Sequence, residues 1–163
     1  MPKKQKQTGR QLFVPLRIVS GGQTGVDRGG LDVAIALGID HGGWCPAGRR
    51  SEDGFVPSRY ELTENESAEY PVRTEQNVVD SAATLIVYEQ QIKGGTMLTK
   101  RLCRRLGREC LAVPIDHASI DKAQQWLQLH APATLNVAGP RESSCPGIQQ
   151  RSFEFLMRVL TEQ

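Results

Sequence analysis

Short apolar runs that alternate with helical patterns constrain the fold of this chain more than any other feature. Four runs have the length and composition of buried strands: 16–20, 84–88, 110–114 and 134–138. The first, second and fourth lead directly or within a few residues into glycine-bearing loops. A buried strand that leads into such a loop is typical of parallel sheets with helices on their faces.

Helical patterns fill the intervals between these runs. Apolar spacing, capping residues and terminal glycines predict helices around 31–37 and over about 73–81, 96–106, 120–129 and 147–160. The length of 163 residues suits one domain. We therefore expect a single Rossmann-like, doubly wound α/β domain over residues 13–163, with a mostly parallel sheet. Its ligand should bind beyond the carboxyl ends of the strands, where the glycine-bearing loops gather.

The charge of the chain limits its partners. Lys3, Lys4, Lys6 and Arg10 precede the first strand with no apolar stretch behind them, so residues 1–12 are interpreted as a disordered basic tail. The net charge is +2, which leaves the folded part close to neutral and argues against nucleic-acid binding. No apolar run reaches the roughly 18 residues of a membrane span. We expect a soluble, cytoplasmic protein.

The cysteines give no sign of a metal site. Cys45, Cys103, Cys110 and Cys145 form no CxxC pair and no cluster with histidine. A structural zinc site is therefore not expected. Without an export signal, the four side chains are expected to be reduced thiols.

A glycine-rich loop is the best-marked functional feature, Gly21-Gly22-Gln23-Thr24-Gly25. Glycines let the backbone approach a ligand, the following helix offers unpaired N–H groups, and threonine adds a hydroxyl. These properties suit a phosphate. The loop is neither a Walker motif nor GxGxxG. A tight strand–helix turn without a ligand fits the motif equally well.

The first turn of the predicted helix carries Asp27 and Arg28. An acidic residue is favourable at a helix N-terminus, whereas Arg28 is unfavourable there unless an anion lies nearby. Gly29 and Gly30 cost about 1 kcal/mol each relative to alanine inside a helix. Their presence indicates close packing against backbone or ligand.

A polar segment from 38 to about 71 is too long for an ordinary connection, and we interpret it as a functional loop. Trp44 could stack on a flat ring, and Arg49 and Arg50 could pair with phosphate oxygens. Glu52 and Asp53 add two carboxylates. The alternative is a solvated loop anchored by its tryptophan.

The second glycine loop has the same kinds of residues as the first. Gly94, Gly95 and Thr96 combine glycines, a hydroxyl and a helix start, although a simple capped turn also explains them. Further polar or close-approach positions are expected to contribute to the same site: Arg73, Asn77, Asn136, Gly139 and Arg141.

Taken in order, five stretches resemble the molybdenum cofactor carrier family: 18–30, GWCPAGRRSEDG, RTEQNVVDSAATLIV, KGGTMLT and LNVAGPRES. That family lies within the Rossmann-like SLOG group, with the lysine-decarboxylase-like and LOG-type nucleotide-processing proteins. The resemblance covers roughly residues 16–160. It implies a phosphate-bearing ligand at the sheet edge, molybdenum cofactor as cargo, and a homo-oligomer, either a dimer or a tetramer. The sequence Arg28-Gly29-Gly30 departs from the alanine-rich helix expected there.

The alternative implied by the same resemblance is an enzyme. LOG-type proteins hydrolyse the N-glycosidic bond of nucleoside monophosphates and carry a PGGxGTxxE signature with a catalytic glutamate. This chain reads KGGTMLTK over 93–100, with one spacer missing and no acid following. Glu52, Asp53 or Glu142 could supply a carboxylate from elsewhere. A nucleotide-sensing module would share the same pocket and is equally compatible with the sequence.

Overall fold

The computed structural model describes residues 11–163, so most of the predicted tail, residues 1–10, lies outside the described residues. The described part contains five α-helices and nine strands. The helices are α1 Val26–Leu37, α2 Tyr70–Val79, α3 Gly94–Leu106, α4 His117–His130 and α5 Ile148–Thr161. The strands are β1 Arg17–Val19, β2 Asp40–Gly42, β3 Trp44–Cys45, β4 Arg50–Ser51, β5 Gly54–Phe55, β6 Thr63–Glu64, β7 Ala83–Tyr88, β8 Glu109–Pro114 and β9 Thr134–Ala138.

Five strands form the central sheet in the order β2-β1-β9-β7-β8, and every neighbouring pair is parallel. All five therefore end at the same edge. The glycine-bearing loops that follow β1, β7 and β9 lie together at that edge, as the sequence predicted. The α/β, doubly wound architecture is confirmed.

Helices cover both faces of this sheet. Side chains alternate between faces along β7: Leu85 and Val87 enter the main core with α1, α4 and α5, whereas Thr84 faces the cluster between α2 and α3. The neighbouring strands β9 and β7 are thus followed by helices on opposite faces, α5 and α3. A reversal of this kind opens a crevice at the carboxyl ends of the two strands.

The segment 38–71 is more ordered than the sequence predicted. It contains an edge strand of the central sheet, β2, a 3₁₀ turn over Ala47–Arg49, and two small sheets in which β3 pairs with β6 and β4 with β5. The expectation of one irregular loop was wrong for β2. An edge strand need not be apolar, and exposed Asp40 pairs with Arg17 of β1 at 2.5 Å, so no hydrophobic pattern marks it.

A separate apolar cluster anchors this segment to the domain. Buried Cys45, Val56 and Tyr60 pack against Leu31 of α1, with partly buried Leu62 beside them. The segment is mostly polar, but it therefore contributes to a small apolar core of its own.

The two glycines of α1 have a packing role. A β-carbon at Gly29 would lie 2.9 Å from the Gln149 carbonyl of α5 and would overlap the Ser152 hydroxyl. A β-carbon at Gly30 would lie 2.9 Å from the Val137 side chain on β9. The close packing predicted for this pair is therefore against the protein's own backbone and side chains.

Among the described helices, none is both long and apolar enough to cross a membrane.

Replacing Gly29 by alanine tests this packing. Alanine is intrinsically better in a helix by about 1 kcal/mol, but overpacking against α5 costs about 1–3 kcal/mol. We expect Gly29→Ala to lower the midpoint of thermal unfolding. Gly95→Ala is the matched control, because a β-carbon at Gly95 in α3 meets nothing within 4 Å. It should leave the midpoint unchanged or raise it; a stabilised Gly29→Ala variant would contradict the packing argument.

Candidate functional site

A cavity of about 640 Å³ lies at the carboxyl edge of the central sheet. Its walls come from the loop after β1, the first turn of α2, the β7–α3 connection and the β9–α5 connection. Eight of the residues predicted from the sequence line it: Gln23, Asp27, Arg73, Gly94, Gly95, Thr96, Gly139 and Arg141. The crevice expected between β9 and β7 is therefore a cavity of ligand size.

The start of α3 opens into this cavity. Gly94, Gly95 and Thr96 line it, and no side chain caps the helix at Lys93. A β-carbon at either glycine would meet nothing within 4 Å, so the first turn is sterically open. The first N–H groups of a helix have no intrahelical acceptor and carry the positive end of its dipole. This turn can therefore accept an anion.

The Gly21–Gly25 loop has a different arrangement, because its donors bind the protein itself. The Gln23 N–H donates to the Asp27 carboxylate at 3.1 Å, and the Thr24 N–H donates to the Gln23 side chain at 3.1 Å. The Val26 N–H donates to the Pro140 carbonyl at 3.2 Å. An external phosphate at this loop would have to displace the Asp27 carboxylate.

The glycines of this loop serve close contacts within the protein. A β-carbon at Gly22 would lie 2.6 Å from the Leu62 side chain, and one at Gly25 would lie 2.9 Å from the Arg141 backbone. Both residues have positive φ, 73° and 85°. They allow the loop to fit between two neighbouring segments.

The Thr24 hydroxyl joins three segments. It donates to the Glu52 carboxylate and accepts a hydrogen bond from the Glu142 N–H at 3.1 Å. Burial alone would raise the pKa of Glu52, but hydrogen bonds from Ser143 and Thr24 hold it below its usual value. Glu142 itself accepts from the Gln149 N–H at 3.0 Å, so it caps α5.

Arg28 has the nearby anion that the sequence required, and that anion is Asp53. The guanidinium of Arg28 binds the Asp53 carboxylate in bidentate fashion at 2.6 and 2.8 Å. It also donates to the Gly22 carbonyl at 3.1 Å and the Ser51 hydroxyl at 3.1 Å. The hydrogen bonds from Arg28 hold the pKa of Asp53 well below its usual range. This pair joins α1 to the β4–β5 hairpin.

Four predicted residues line a second, smaller cavity of about 450 Å³ instead of the first: Thr24, Arg28, Glu52 and Asp53. Their polar atoms bind one another and neighbouring segments. The structure thus places eight of the predicted residues in the larger cavity and these four in the smaller one, and the others line neither.

Trp44 and Asn77 hold the start of the 38–71 segment onto α2. The Trp44 indole donates to Asp80 at 2.7 Å, away from the larger cavity. The Asn77 amide accepts from the Trp44 N–H at 2.8 Å and donates to the Trp44 carbonyl at 2.9 Å. The structure does not place the indole where it could stack on a ring in that cavity.

The side chain of Arg49 binds backbone carbonyls of its own segment. Its guanidinium donates to the carbonyls of Val56, Pro57 and Tyr60 at 3.1, 2.9 and 2.7 Å. It does not line the larger cavity. Asn136, inside the sheet, donates to Thr84 at 3.2 Å and likewise lies outside the cavity lining.

Asp27 and Arg73 face each other in the cavity wall. Asp27 is 5% exposed, and burial raises the pKa of its carboxyl although Arg73 opposes the shift. An Arg73 nitrogen lies 3.8 Å from the carboxylate. The guanidinium of Arg73 rests on Gly21, where a β-carbon would lie 2.6 Å from its central carbon.

Tyr70 is one of the lining residues that sequence reasoning missed. It lines the cavity, and the guanidinium carbons of Arg50, Arg73 and Arg141 lie 4.7, 5.7 and 5.8 Å from the centroid of its ring. The available signal was the i, i+3 spacing of Tyr70 and Arg73 at a helix start marked by Pro71.

Comparison with known proteins assigns the family. The model of the circularly permuted YpsA SLOG family matches residues 18–160. The chain belongs to this family. A crystal structure of a "putative molybdenum carrier protein" from Syntrophus aciditrophicus SB superposes on this SLOG protein with a TM-score of 0.88 and 41% sequence identity. The match covers 93% of this chain and 98% of the other. Comparison with curated proteins gives no match.

These matches confirm the resemblance noted in the sequence. The five stretches that carry it span most of the region matched by the SLOG model, and they include both glycine loops. The cavity of this family member is therefore built largely from the stretches that carry the resemblance.

The contribution of the Arg28–Asp53 pair to stability can be tested by substitution. Asp53→Asn leaves a nearly buried guanidinium without its carboxylate, since the Arg28 side chain is 7% exposed. We expect a loss of about 1–3 kcal/mol, below the cost of breaking a fully buried pair because the Asp53 side chain is 46% exposed.

The control for that variant is Asp40→Asn, which removes an exposed pair with Arg17 and should cost under about 1 kcal/mol. Because the folded-state pKa of Asp53 is lowered, its contribution is present above its ordinary value of 3.8 and is lost as the pH falls further. Denaturant titrations at pH 7 and pH 3 measure both effects. Equal losses for the two variants at pH 7 would contradict this role of the pair.

For Asp27 we expect the opposite dependence of stability on pH. Its folded-state pKa is raised above 3.8, so above that pH the folded protein holds more protons than the unfolded chain, and stability falls as the pH rises. Asp27→Asn removes this slope. We expect the variant to be more stable than the wild type at pH 7, with a difference that shrinks toward pH 4. A variant that is less stable at pH 7 would show that the carboxylate is a net stabilising partner of Arg73.

Proposed function

We propose that this protein binds and carries a phosphorylated heterocycle, with the phosphate at the start of α3 and the ring beside Tyr70. Molybdenum cofactor, a phosphorylated pterin with a dithiolene-bound metal, is the favoured cargo. The observation that carries the proposal is the uncapped, sterically open first turn of α3 in the wall of a 640 Å³ cavity.

The phosphate position follows from the donors that remain available. The Gln23 and Thr24 N–H groups of the first glycine loop bind the protein's own side chains, whereas Gly94 and Gly95 face open space. Lys93 lines the cavity beside them and adds a positive charge. Backbone donors, a helix dipole and one ammonium group together suit a phosphate.

The ring position follows from the shape and lining of the cavity. A volume of about 640 Å³ lies within the range of small-molecule sites. Tyr70 supplies an aromatic face on one wall, and Leu98 and Pro140 supply apolar surface elsewhere. These groups accept a flat heterocycle without demanding a particular pattern of hydrogen bonds.

The choice of cargo is supported by the relative of 41% identity, which is named a "putative molybdenum carrier protein". Its coverage of nearly the whole of both chains means that the same cavity-forming segments have counterparts there. A carrier has to hold its cargo and release it unchanged, and backbone N–H donors are suited to this because they bind an anion without acting as a nucleophile or a general base.

A second candidate, a hydrolase of nucleoside monophosphates, rests on Asp27. This carboxyl lines the cavity, is 5% exposed, and has a pKa raised by burial. A buried carboxyl with a raised pKa is suited to general acid–base catalysis on a leaving heterocycle. It would take the place of the glutamate that is missing after Thr96. A nucleotide-sensing module would use the same pocket without hydrolysis.

A charge placed in the first turn of α3 tests the carrier proposal. Gly95→Asp should weaken binding of inorganic phosphate, a nucleoside monophosphate and a pterin phosphate by about tenfold or more, because a carboxylate would occupy the anion position. An acidic side chain is favourable at a helix N-terminus, so the fold should persist. Isothermal titration calorimetry measures the affinities.

His117→Asp is the matched control, since it adds the same charge to the first turn of α4, outside the cavity lining. It should leave the affinities unchanged. Equal affinities for Gly95→Asp and the wild type would place the phosphate elsewhere.

Two further measurements separate the candidates. Native mass spectrometry of freshly purified protein, with metal analysis, should show a bound pterin and molybdenum if the cargo is molybdenum cofactor. Incubation with nucleoside monophosphates should release no free base. Base release that scales with protein concentration and is lost in Asp27→Asn would favour the hydrolase.

A further inference from the structure

A cluster of arginines lies on the cavity wall away from α3. Arg73 and Arg141 both line the cavity, and their guanidinium carbons lie 5.7 and 5.8 Å from the centroid of the Tyr70 ring. Arg50 lies 4.7 Å from the same centroid, outside the cavity lining. Three positive charges around one ring repel each other, and an anion among them would relieve that repulsion.

Arg73 is incompletely satisfied within the protein. Its Nε is buried and has no hydrogen-bond partner among residues 11–163, and the side chain as a whole is 12% exposed. One terminal nitrogen donates to the Thr74 hydroxyl at 3.0 Å, and the same nitrogen lies 3.8 Å from Asp27. Hydrogen bonds between an arginine and a carboxylate are normally about 2.7–2.9 Å long. This guanidinium is therefore held in place without a close counterion.

Arg141 is in a similar position. The nearest carboxylate oxygen, on Glu52, is 3.7 Å away, and that carboxylate already accepts hydrogen bonds from Thr24 and Ser143. The Arg141 side chain is 40% exposed. Its guanidinium donors can therefore reach a ligand.

The local backbone favours this placement of Arg73. Its guanidinium lies against Gly21, where a β-carbon would be 2.6 Å from the central carbon and 2.8 Å from Nε. Only glycine leaves that space. Gly21 thus serves the anion chemistry of the cavity indirectly, by admitting an arginine, and does not need to bind a phosphate with its own N–H.

The cluster and the start of α3 lie at the ends of different strands of the central sheet. Arg73 lies over the loop that follows β1, whereas α3 follows β7, and β9 lies between these two strands. Adjacent strands are about 4.8 Å apart, so the ends of β1 and β7 are roughly 10 Å apart. Both places line the same cavity, and Arg73 is separated from the start of α3 by about two strand spacings along the sheet edge.

We propose that Arg73 and Arg141 form a second anion-binding subsite, and that the cavity takes an elongated ligand with an anionic group at each end. This inference rests on the proposed function, which places the first anionic group at the start of α3. The ring of the ligand lies between the two groups, beside Tyr70. The second group has the chemistry of an oxyanion, such as a phosphate or a metal-bound oxyanion, that can accept several guanidinium hydrogen bonds.

Three synthetic phosphates test the two-ended site by calorimetry. Octyl phosphate has one anionic group, octanediol bisphosphate has two that can span the cavity, and ethanediol bisphosphate has the same charge but is too short. In the wild type, octanediol bisphosphate should bind about tenfold tighter than either of the others, because it alone gains the second set of charge-assisted bonds.

The variant Arg141→Gln should remove this advantage, so that it binds octanediol bisphosphate no more than about twofold tighter than octyl phosphate. Arg73→Gln should do the same. If Arg73→Gln fails to fold, Arg141→Gln decides alone. Arg59→Gln is the matched control, since Arg59 also lies over a tyrosine ring, 4.6 Å from the centroid of Tyr60, but outside the cavity lining.

The outcomes distinguish the two proposals. If octyl phosphate binds and loses affinity in Gly95→Asp, but octanediol bisphosphate gains nothing or keeps its gain in Arg141→Gln, the second subsite is overturned and the first stands. If none of the three phosphates binds, both are overturned. An advantage shared equally by the short and the long bisphosphate would mean that charge alone, and not two separated subsites, is responsible.

Discussion

The salt bridge between Arg28 and Asp53 is the interaction on which the arrangement of the cavity edge depends. It connects the first turn of α1 with the β4–β5 hairpin, and the same guanidinium holds the Gly22 carbonyl. Because one buried cation makes all these contacts, the first glycine loop and the 38–71 segment keep one relative position. The remaining contacts of Thr24 and Glu52 extend this link to the β9–α5 connection.

The two similar glycine loops differ in their hydrogen bonds. In the first loop, the Asp27 carboxyl accepts a hydrogen bond from the Gln23 N–H. In the second, no acidic residue occurs in the first turn of α3 and no side chain caps it. Both loops put glycines at the start of a helix, but the first turn of α1 adds only Asp27 to the cavity wall, whereas Gly94, Gly95 and Thr96 of α3 all line it.

Much of the fold was predictable from the sequence, because parallel strands and the helices that cover them carry strong apolar patterns. Strands over 84–88, 110–114 and 134–138 were placed within a residue of their observed limits. The edge strand β2 was missed since it is polar, and side chains there are exposed or pair with β1. Hydrophobic periodicity marks side chains that are buried, and few side chains of this edge strand are buried.

The candidate site was predictable in composition more than in the role of each residue. The sequence indicated an anion beside Arg28, but Asp53 lies 25 residues away and only the fold shows that it is the partner. Trp44 and Arg49 have side chains suited to ligands, yet tertiary contacts direct them to Asp80 and to backbone carbonyls. Tyr70 lies where a polar segment meets a helix, and local pattern gives such a boundary residue little weight.

Arg49 has a consequence for the motions of the domain. One guanidinium accounts for hydrogen bonds to three carbonyls spread over residues 56–60, and the apolar cluster beneath them is small and separate from the main core. Segments held by few buried contacts open with less free energy than the global unfolding reaction. Residues 49–60 should therefore exchange their amide hydrogens as one cooperative unit when the Arg28–Asp53 pair opens, ahead of the central sheet. This segment, which includes Arg50 of the arginine cluster, would then open locally while the strands of the central sheet remain folded.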